Sequence, residues 1–422
     1  MSSTRSLMTP GGWSYRAGVR SDLVRFAQAS QHPLGFAWLD DAGRPEPSRP
    51  VELWITCRMT HVAALAVLAD EPAAPGGPDR AARLVLAEHG VSALRGALRD
   101  PDHGGWFASV GPGGPVQDAK QAYGHAFVVL AAASAQAAGL AVGVDLLDEA
   151  LTVHDRYFWD EEAGLVVEEW DRSWAQMDGY RGINANMHTV EAYLAAGDVT
   201  GNPLWHERAG RIAATVAGWG RAHGWRIPEH FDAAWSPMLS HHREKPADPF
   251  RPYGATVGHG LEWARLLVCV DETLGRHAPP GLVAAAVAMT DRAVADGWAV
   301  DGAEGFVYTT DWDGRPVVHT RMHWVVAEAV NTATVLHRVT GEQRFADDAA
   351  RWWAYADRFL VDPVLGSWHH ELDASNTPVA EVWPGKPDVY HAYQAALLPD
   401  LPTTPSLAMG LASRQGAGAT EG

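Results

Sequence analysis

Three histidines occupy predicted helix starts, each close to a polar or acidic neighbour. His188 closes Asn184-Ala-Asn186-Met-His188 and is followed three residues on by Glu191; His259 opens His259-Gly-Leu-Glu262 with the same spacing; His391 follows Asp388-Val-Tyr390. Residues three apart share a helical face, so each glutamate can reach its imidazole or a ligand hydroxyl. Imidazole exchanges protons near neutral pH, and three of them on separate segments predict acid–base work on one small molecule. The positive end of a helix dipole lowers an imidazole pKa, which at His391 would leave a neutral base fit to take a proton from carbon. Asn184 and Asn186 read as helix caps. His-x-x-Glu also resembles two metal ligands, but no further ligand set has matching context, so no metal is expected.

Arg58, in Trp54-Ile-Thr-Cys57-Arg58-Met-Thr-His61, is a cation in an otherwise apolar helical run. It must pair with a buried carboxylate or with a ligand oxygen, and the sequence leaves both open. Glu328, downstream of Arg321-Met-His323-Trp324, reads as a structural ion-pair partner. The chain has 19 tryptophans against 10 tyrosines and 10 phenylalanines. Indoles fill helical cores, and they also stack on the C–H faces of sugars. Trp324 and Trp383 are the candidate sugar-facing pair.

The net charge of −18 argues against nucleic acid or an anionic membrane as partner. No apolar run is long enough to span a bilayer, and the first residues carry no signal-peptide core. Two cysteines, Cys57 and Cys269, make neither a metal motif nor a disulfide framework, which predicts a cytoplasmic protein. There is no dinucleotide fingerprint, P-loop or Gly-x-Ser-x-Gly elbow, so no cofactor is expected. A small molecule is the expected partner, with the protein a monomer or homo-oligomer.

The elements that must position these residues repeat along the chain. Helical periodicity covers 14–30, 52–70, 79–98, 119–138, 144–157, 185–198, 203–220, 256–275, 281–297, 323–340, 343–360 and 388–398. Between these runs lie short β-prone stretches that open on glycine, such as Gly104-Gly105-Trp106, Gly164-Leu-Val, Gly305-Phe-Val and Gly366-Ser-Trp368. About twelve helices joined by short β-hairpin loops at one end predict an all-α (α/α)6 barrel; an open solenoid would need more uniform repeats and polar capping repeats. Residues 1–402 read as a single catalytic domain and 403–422 as a flexible tail, with 171–178 and 240–248 as candidate rim loops. Such a barrel also suits a glycosidase, which would need two essential carboxylic acids, or a non-catalytic carbohydrate binder, which would have no use for the three histidines.

The ordered set around Arg58, Asp100 to Trp106, Tyr180 to His188, Gly258 to Trp263 and Tyr390-His391 resembles the N-acylglucosamine 2-epimerase family, in its aldose–ketose isomerase branch. The likeness runs from about Gly35 to Pro399. It implies metal-free and cofactor-free isomerisation through a cis-enediol. His391 would take the proton from sugar C2, and His259 would assist ring opening and return a proton at C1. His188 completes the candidate catalytic set, with an implied role in sugar binding, while Arg58, Glu262 and Asn184 join Trp324 and Trp383 as substrate-binding candidates. Members that act on sulfosugars hold the sulfonate with amide and arginine side chains, where this chain has Pro249, His370 and Pro387. Arg251 and Lys386 remain as compensating cations. The resemblance therefore implies a neutral monosaccharide, D-mannose to D-fructose, with D-lyxose to D-xylulose beside it. Sulfoquinovose isomerisation and 2-epimerisation of cellobiose or an N-acylglucosamine are the alternatives.

Overall fold

The computed structural model describes residues 9–419. Helices α1 Trp13–Ala27, α2 Leu53–Ala69, α3 Arg80–Arg95, α4 Ala122–Ala137, α5 Val142–Val153, α6 Ile183–Thr200 and α7 Pro203–Ala222 are followed by α8 Val257–Leu274, α9 Leu282–Gly297, α10 His323–Thr340, α11 Gln343–Tyr355, α12 Tyr390–Leu397 and α13 Leu407–Ala419. The first twelve fall on the twelve periodic runs. By contact the chain forms two compact units. Unit 1 comprises Met1–Arg20, Ala213–Lys386 and His391–Thr403, and unit 2 comprises Ser21–Ile212, Pro387–Tyr390 and Thr404–Gly422.

The thirteenth helix corrects the expectation of a tail. Gly, Ala and Ser around 403–422 suggest flexibility, yet Ala408 and Leu411 are buried as α13 packs on α2, α4 and α6. Gln415 Nε2 donates to Leu68 O at 2.7 Å, satisfying a carbonyl in the last turn of α2. Small residues here allow close helix approach and do not signal disorder.

Within each unit, helices buried on nearly every face alternate with helices apolar on one face. In α2 every residue from Leu53 to Leu68 is buried, whereas α11 buries only Phe345, Trp352, Trp353 and Tyr355. In unit 2, α2, α4 and α6 pack in succession, with α3 against α2 and α5 against α4; in unit 1, α8 packs on α9 and α10, and α10 on α11.

The buried helices start in one recurring way. α2, α4, α8 and α10 each leave a two-residue strand (Val51–Glu52, Lys120–Gln121, Ala255–Thr256, Arg321–Met322) that pairs antiparallel with a strand further along the chain. The first helical N–H groups then donate to that partner segment: Leu53 to Ala108 O, Ala122 to Glu168 O, Val257 to Tyr308 O and His323 to His370 O, at 2.9–3.1 Å. None of these helices has a side-chain cap, and the cap residue is extended. With a ladder satisfying the first N–H, the opening turn is released from Ser, Thr and Asp and can carry chemistry.

The same rule corrects the capping reading of the asparagines. The residue capping α6 is Gly182, without any side-chain cap. Asn186 instead exchanges hydrogen bonds with Val166, at 2.9 Å from Val166 N and 3.0 Å to Val166 O, and so pins a hairpin strand to the helix.

Candidate active site

Unit 1 brings His259 and His391 beside one indole. The Trp324 ring centroid lies 5.2 Å from that of His259 and 5.8 Å from that of His391. Trp324 seats there because residue 258 is glycine: a Cβ on Gly258 would come within 2.3 Å of the indole. His259 sits in the first turn of α8, Trp324 in that of α10, and His391 in that of α12.

Both imidazoles are held through Nδ1 by a carboxylate. Glu229 Oε2 lies 2.8 Å from His259 Nδ1, and Glu328 Oε1 lies 3.1 Å from His391 Nδ1. An ionised carboxylate only accepts, so each Nδ1 carries the hydrogen and Nε2 is the basic nitrogen of the neutral ring. Glu328 is fully buried, and its other oxygen accepts from Arg265 Nε at 2.8 Å. Burial alone would raise its pKa; the Arg265 charge and the His391 hydrogen bond prevail and hold it below the usual glutamate value.

These contacts change three assignments. Glu328 is not merely a structural partner, because it backs a candidate catalytic imidazole; the buried structural ion pair belongs to Arg321, with Asp301 at 2.6 Å. Glu262 does not orient His259: it reaches Arg265 Nη2 at 3.5 Å, and Glu229 takes the imidazole. Spacing could not reveal Glu229, because it arrives from a segment 30 residues upstream. Lys386 is not a compensating cation, since its Nζ is buried against Asp362 Oδ2 at 2.7 Å and Gly366 O at 2.8 Å.

Trp383, also in unit 1, stands edge-on to Phe250 at 5.0 Å. Its backbone N–H and that of Val382 both donate to Glu371 Oε2 at 2.9 Å, which fixes the segment carrying the indole.

Unit 2 holds the other candidates. Arg58 is buried with Nη1 3.2 Å from Asp388 Oδ2 and Nη2 3.1 Å from the Tyr123 hydroxyl. Its guanidinium packs on Trp54, Phe127 and Tyr390 at 4.6–5.0 Å from the ring centroids. The sequence left a carboxylate or a ligand open as partner, and Asp388 is that carboxylate. His188 packs on the same Phe127 at 4.5 Å and on Tyr123 at 5.3 Å. Here the His-x-x-Glu spacing does join its two members, with His188 Nδ1 3.8 Å from Glu191 Oε2, and the Tyr390 hydroxyl also donates to Glu191. One turn before His188, the Asn184 Oδ1 is buried and has no hydrogen-bond partner among the described residues.

The model of N-acylglucosamine 2-epimerase matches residues 35–395. The chain belongs to the N-acylglucosamine 2-epimerase family. Within that family it is 52% identical to a D-mannose isomerase of Thermobifida fusca, over 95% of this chain and 99% of that one. It is 42% identical to a D-mannose isomerase of Pseudomonas cannabina pv. alisalensis, over 96% and 97%. A crystal structure of a D-mannose isomerase matches with a TM-score of 0.84 at 25% identity, covering 92% of this chain and 97% of that one. The chain is thus a sugar isomerase of this family, and its fold is of the all-α (α/α)6 type that the helix count predicts. Among the described residues no helix is long and apolar enough to cross a membrane.

Proposed function

We propose that the chain interconverts D-mannose and D-fructose, with D-lyxose and D-xylulose as a secondary pair, by proton transfer through a cis-enediol without a metal. The observation that carries the reading is the pair of imidazoles packed on Trp324, each with Nδ1 held by a buried carboxylate. The similarity to two D-mannose isomerases along almost the whole chain supports the choice of sugar.

In this mechanism His391 Nε2 takes the proton from C2 of the open-chain aldose. The electron pair forms the C1–C2 double bond as the C1 carbonyl electrons move to O1, which takes up a proton. Loss of the O2 proton then re-forms a carbonyl at C2 while C1 gains a proton, a return served by His259, which first assists ring opening. One base can serve adjacent carbons because both lie on the same face of a cis-enediol. Arg58 and Glu262 are assigned to the sugar hydroxyls and to the negative charge that grows on the enediolate oxygens. Asn184, with a buried acceptor oxygen awaiting a donor, and His188 are assigned to hydroxyl binding. Trp324 and Trp383 offer faces to the sugar.

The burial of Lys386 against Asp362 supports a neutral substrate over a sulfonated one. A cytoplasmic location fits the two free thiols, Cys57 and Cys269.

Chelator-treated protein incubated with D-mannose in D2O, followed by NMR of the sugars, tests the reading. Fructose bearing deuterium at C1 is the expected product. No conversion of mannose, with turnover of sulfoquinovose or cellobiose instead, would overturn it.

A further inference from the structure

Two irregular segments of unit 1 run into the helices that carry its candidate catalytic imidazoles. Residues 232–254 lead through the strand Ala255–Thr256 into α8, with His259 in its first turn; residues 373–389 lead into α12, with His391 in its first turn. Phe250 lies on the first segment and Trp383 on the second, and their rings meet with centroids 5.0 Å apart and planes at 86°. The second segment is also tied to the start of α10. Glu371, whose Oε2 accepts from Val382 N and Trp383 N at 2.9 Å, stands opposite Met322 in a strand pair, and Trp324 follows two residues after Met322. The aromatic pair therefore belongs to the end of unit 1 where both imidazoles pack on Trp324.

Phe250 is 54% exposed, yet its backbone is pinned. The Phe250 and Arg251 N–H groups both donate to Asp248 Oδ1, at 3.1 and 2.9 Å. Tyr253 N donates to Pro246 O at 3.2 Å, and the His242 and His230 rings bond Arg251 O and Pro252 O, each at 2.8 Å. A phenyl ring left in water forgoes the burial that would stabilise it, and a slack loop could fold it away. This loop instead holds the ring out beside an indole whose own segment is fixed by Glu371.

A sugar presents hydroxyls, which polar groups meet, and C–H surfaces, which aromatic faces meet. In the mechanism above, carbons 1 and 2 belong to the imidazoles. Two fixed aromatic rings at right angles suit the hydrocarbon surface at the other end of the molecule. We propose that Phe250 is a specificity-determining residue that forms, with Trp383, an aromatic corner for the C5–C6 end of a neutral sugar. Glu371 is the positioning residue that holds the Trp383 side of this corner. The CH2 of a hexose hydroxymethyl group packs into the corner, and a pentose lacks that contact. An anionic group at the same end would be desolvated against two hydrocarbon rings, while Lys386, three residues from Trp383, is taken by Asp362 and Gly366. This inference rests on the reading of the chain as an aldose–ketose isomerase with its chemistry at His259 and His391.

The experiment compares wild type and Phe250→Ala, as full-length proteins, on D-mannose and D-lyxose. The two sugars share the configuration at C2, C3 and C4, and lyxose lacks C6. Initial rates give KM and kcat, and calorimetric titration gives an apparent Kd for each sugar whether or not it is turned over. Phe250→Ala should weaken mannose by about 10-fold in KM and Kd, with the loss in KM rather than kcat, and lyxose by less than about 2-fold. Phe250→Trp keeps an aromatic face and should preserve the wild-type ratio between the sugars. Glu371→Gln should shift that ratio the same way as Phe250→Ala but by less, because an amide oxygen accepts from the Val382 and Trp383 N–H groups more weakly than a carboxylate.

Equal losses on both sugars in Phe250→Ala, or no loss on either, overturn the proposal. A merely structural role for Phe250 would weaken both sugars alike, so it cannot imitate the selective effect. An unchanged ratio in folded Glu371→Gln overturns the part given to Glu371. If mannose binding depends on Phe250 as expected and no fructose forms, the isomerase reading fails and the aromatic corner stands. If fructose forms and Phe250→Ala does not separate the two sugars, the corner fails and the isomerase reading stands.

Discussion

Two histidines of unit 1 and three of unit 2 sit in opposite circumstances. In unit 1, His259 and His391 have carboxylates on Nδ1. In unit 2, His61, His125 and His154 are bonded to neutral groups: the Ser134 hydroxyl, Gln121 O and the Tyr193 hydroxyl, at 2.7–3.0 Å. Burial pushes these three down to about 4, about 3 and about 3, so they stay uncharged in the folded protein. An imidazole with a neutral partner in a dry core is a packing residue, and one with a carboxylate behind it can work. The partner's charge, not burial or residue type, separates the two kinds.

That contrast breaks most visibly on alanine substitution. His391→Ala should reduce mannose turnover by at least about 10³-fold with secondary structure unchanged, which is what the proposed role of His391 as base requires. His61→Asn should leave turnover within about a few-fold and act on stability instead. Equal losses from both would erase the distinction; steady-state kinetics and circular dichroism decide it.

The second test is acid stability. For His61, His125 and His154 the folded pKa lies below the unfolded value, so the unfolded chain binds more protons as pH falls. Their contribution is complete above about 6.5 and is lost progressively as pH drops toward about 3–4, by about 1.4 kcal/mol per pH unit for each imidazole that takes up a proton on unfolding. Urea midpoints measured from pH 7 to pH 4 should fall along this course. A midpoint flat over that range would show that the three are not buried neutral.

Arg58 tests the polar centre of unit 2. Arg58→Met leaves the Asp388 carboxylate buried without its cation, and removing one member of a buried pair costs about 3–5 kcal/mol. Chemical denaturation should show that loss, and Arg58→Lys should recover only part of it because the bridge to both Asp388 and Tyr123 needs a fork of donors.

The smallest change sharpens the comparison from the unit 1 side. Gly258→Ala must displace Trp324, on which both imidazoles pack. A shift of about 1 Å at a reacting centre can cost roughly 10²-fold, so kcat/KM should fall by about 10–100-fold while the unfolding midpoint moves little. A near-normal rate would show that Trp324 has no part in placing the histidines.

Local pattern was enough for the helices. All-round apolar runs such as Ala126 to Ala135 can only be buried helices, and one-sided runs such as α11 must lie outside them. The candidate histidines were equally legible, because imidazole at a helix start beside acids is an uncommon arrangement and the motif order pointed to the family. The wiring was not legible. His-x-x-Glu is the same string at His188 and His259, yet only the first joins its glutamate; the second turns to Glu229. Helix α13 escaped notice for a related reason, since its small residues carry no periodic signal until α2, α4 and α6 are there to receive them.

The sequence by itself determined where the first twelve helices form, which of them are buried, and which residue types are available for proton transfer. These depend on side chains within a few turns of one another, where spacing fixes geometry. Only the tertiary structure decided which carboxylate stands behind which imidazole, that Lys386 is consumed by Asp362, and that Arg58 is met by Asp388. Those choices join residues 24 to 330 positions apart, and an ion pair of that separation depends on where chain packing puts its members, which spacing does not encode.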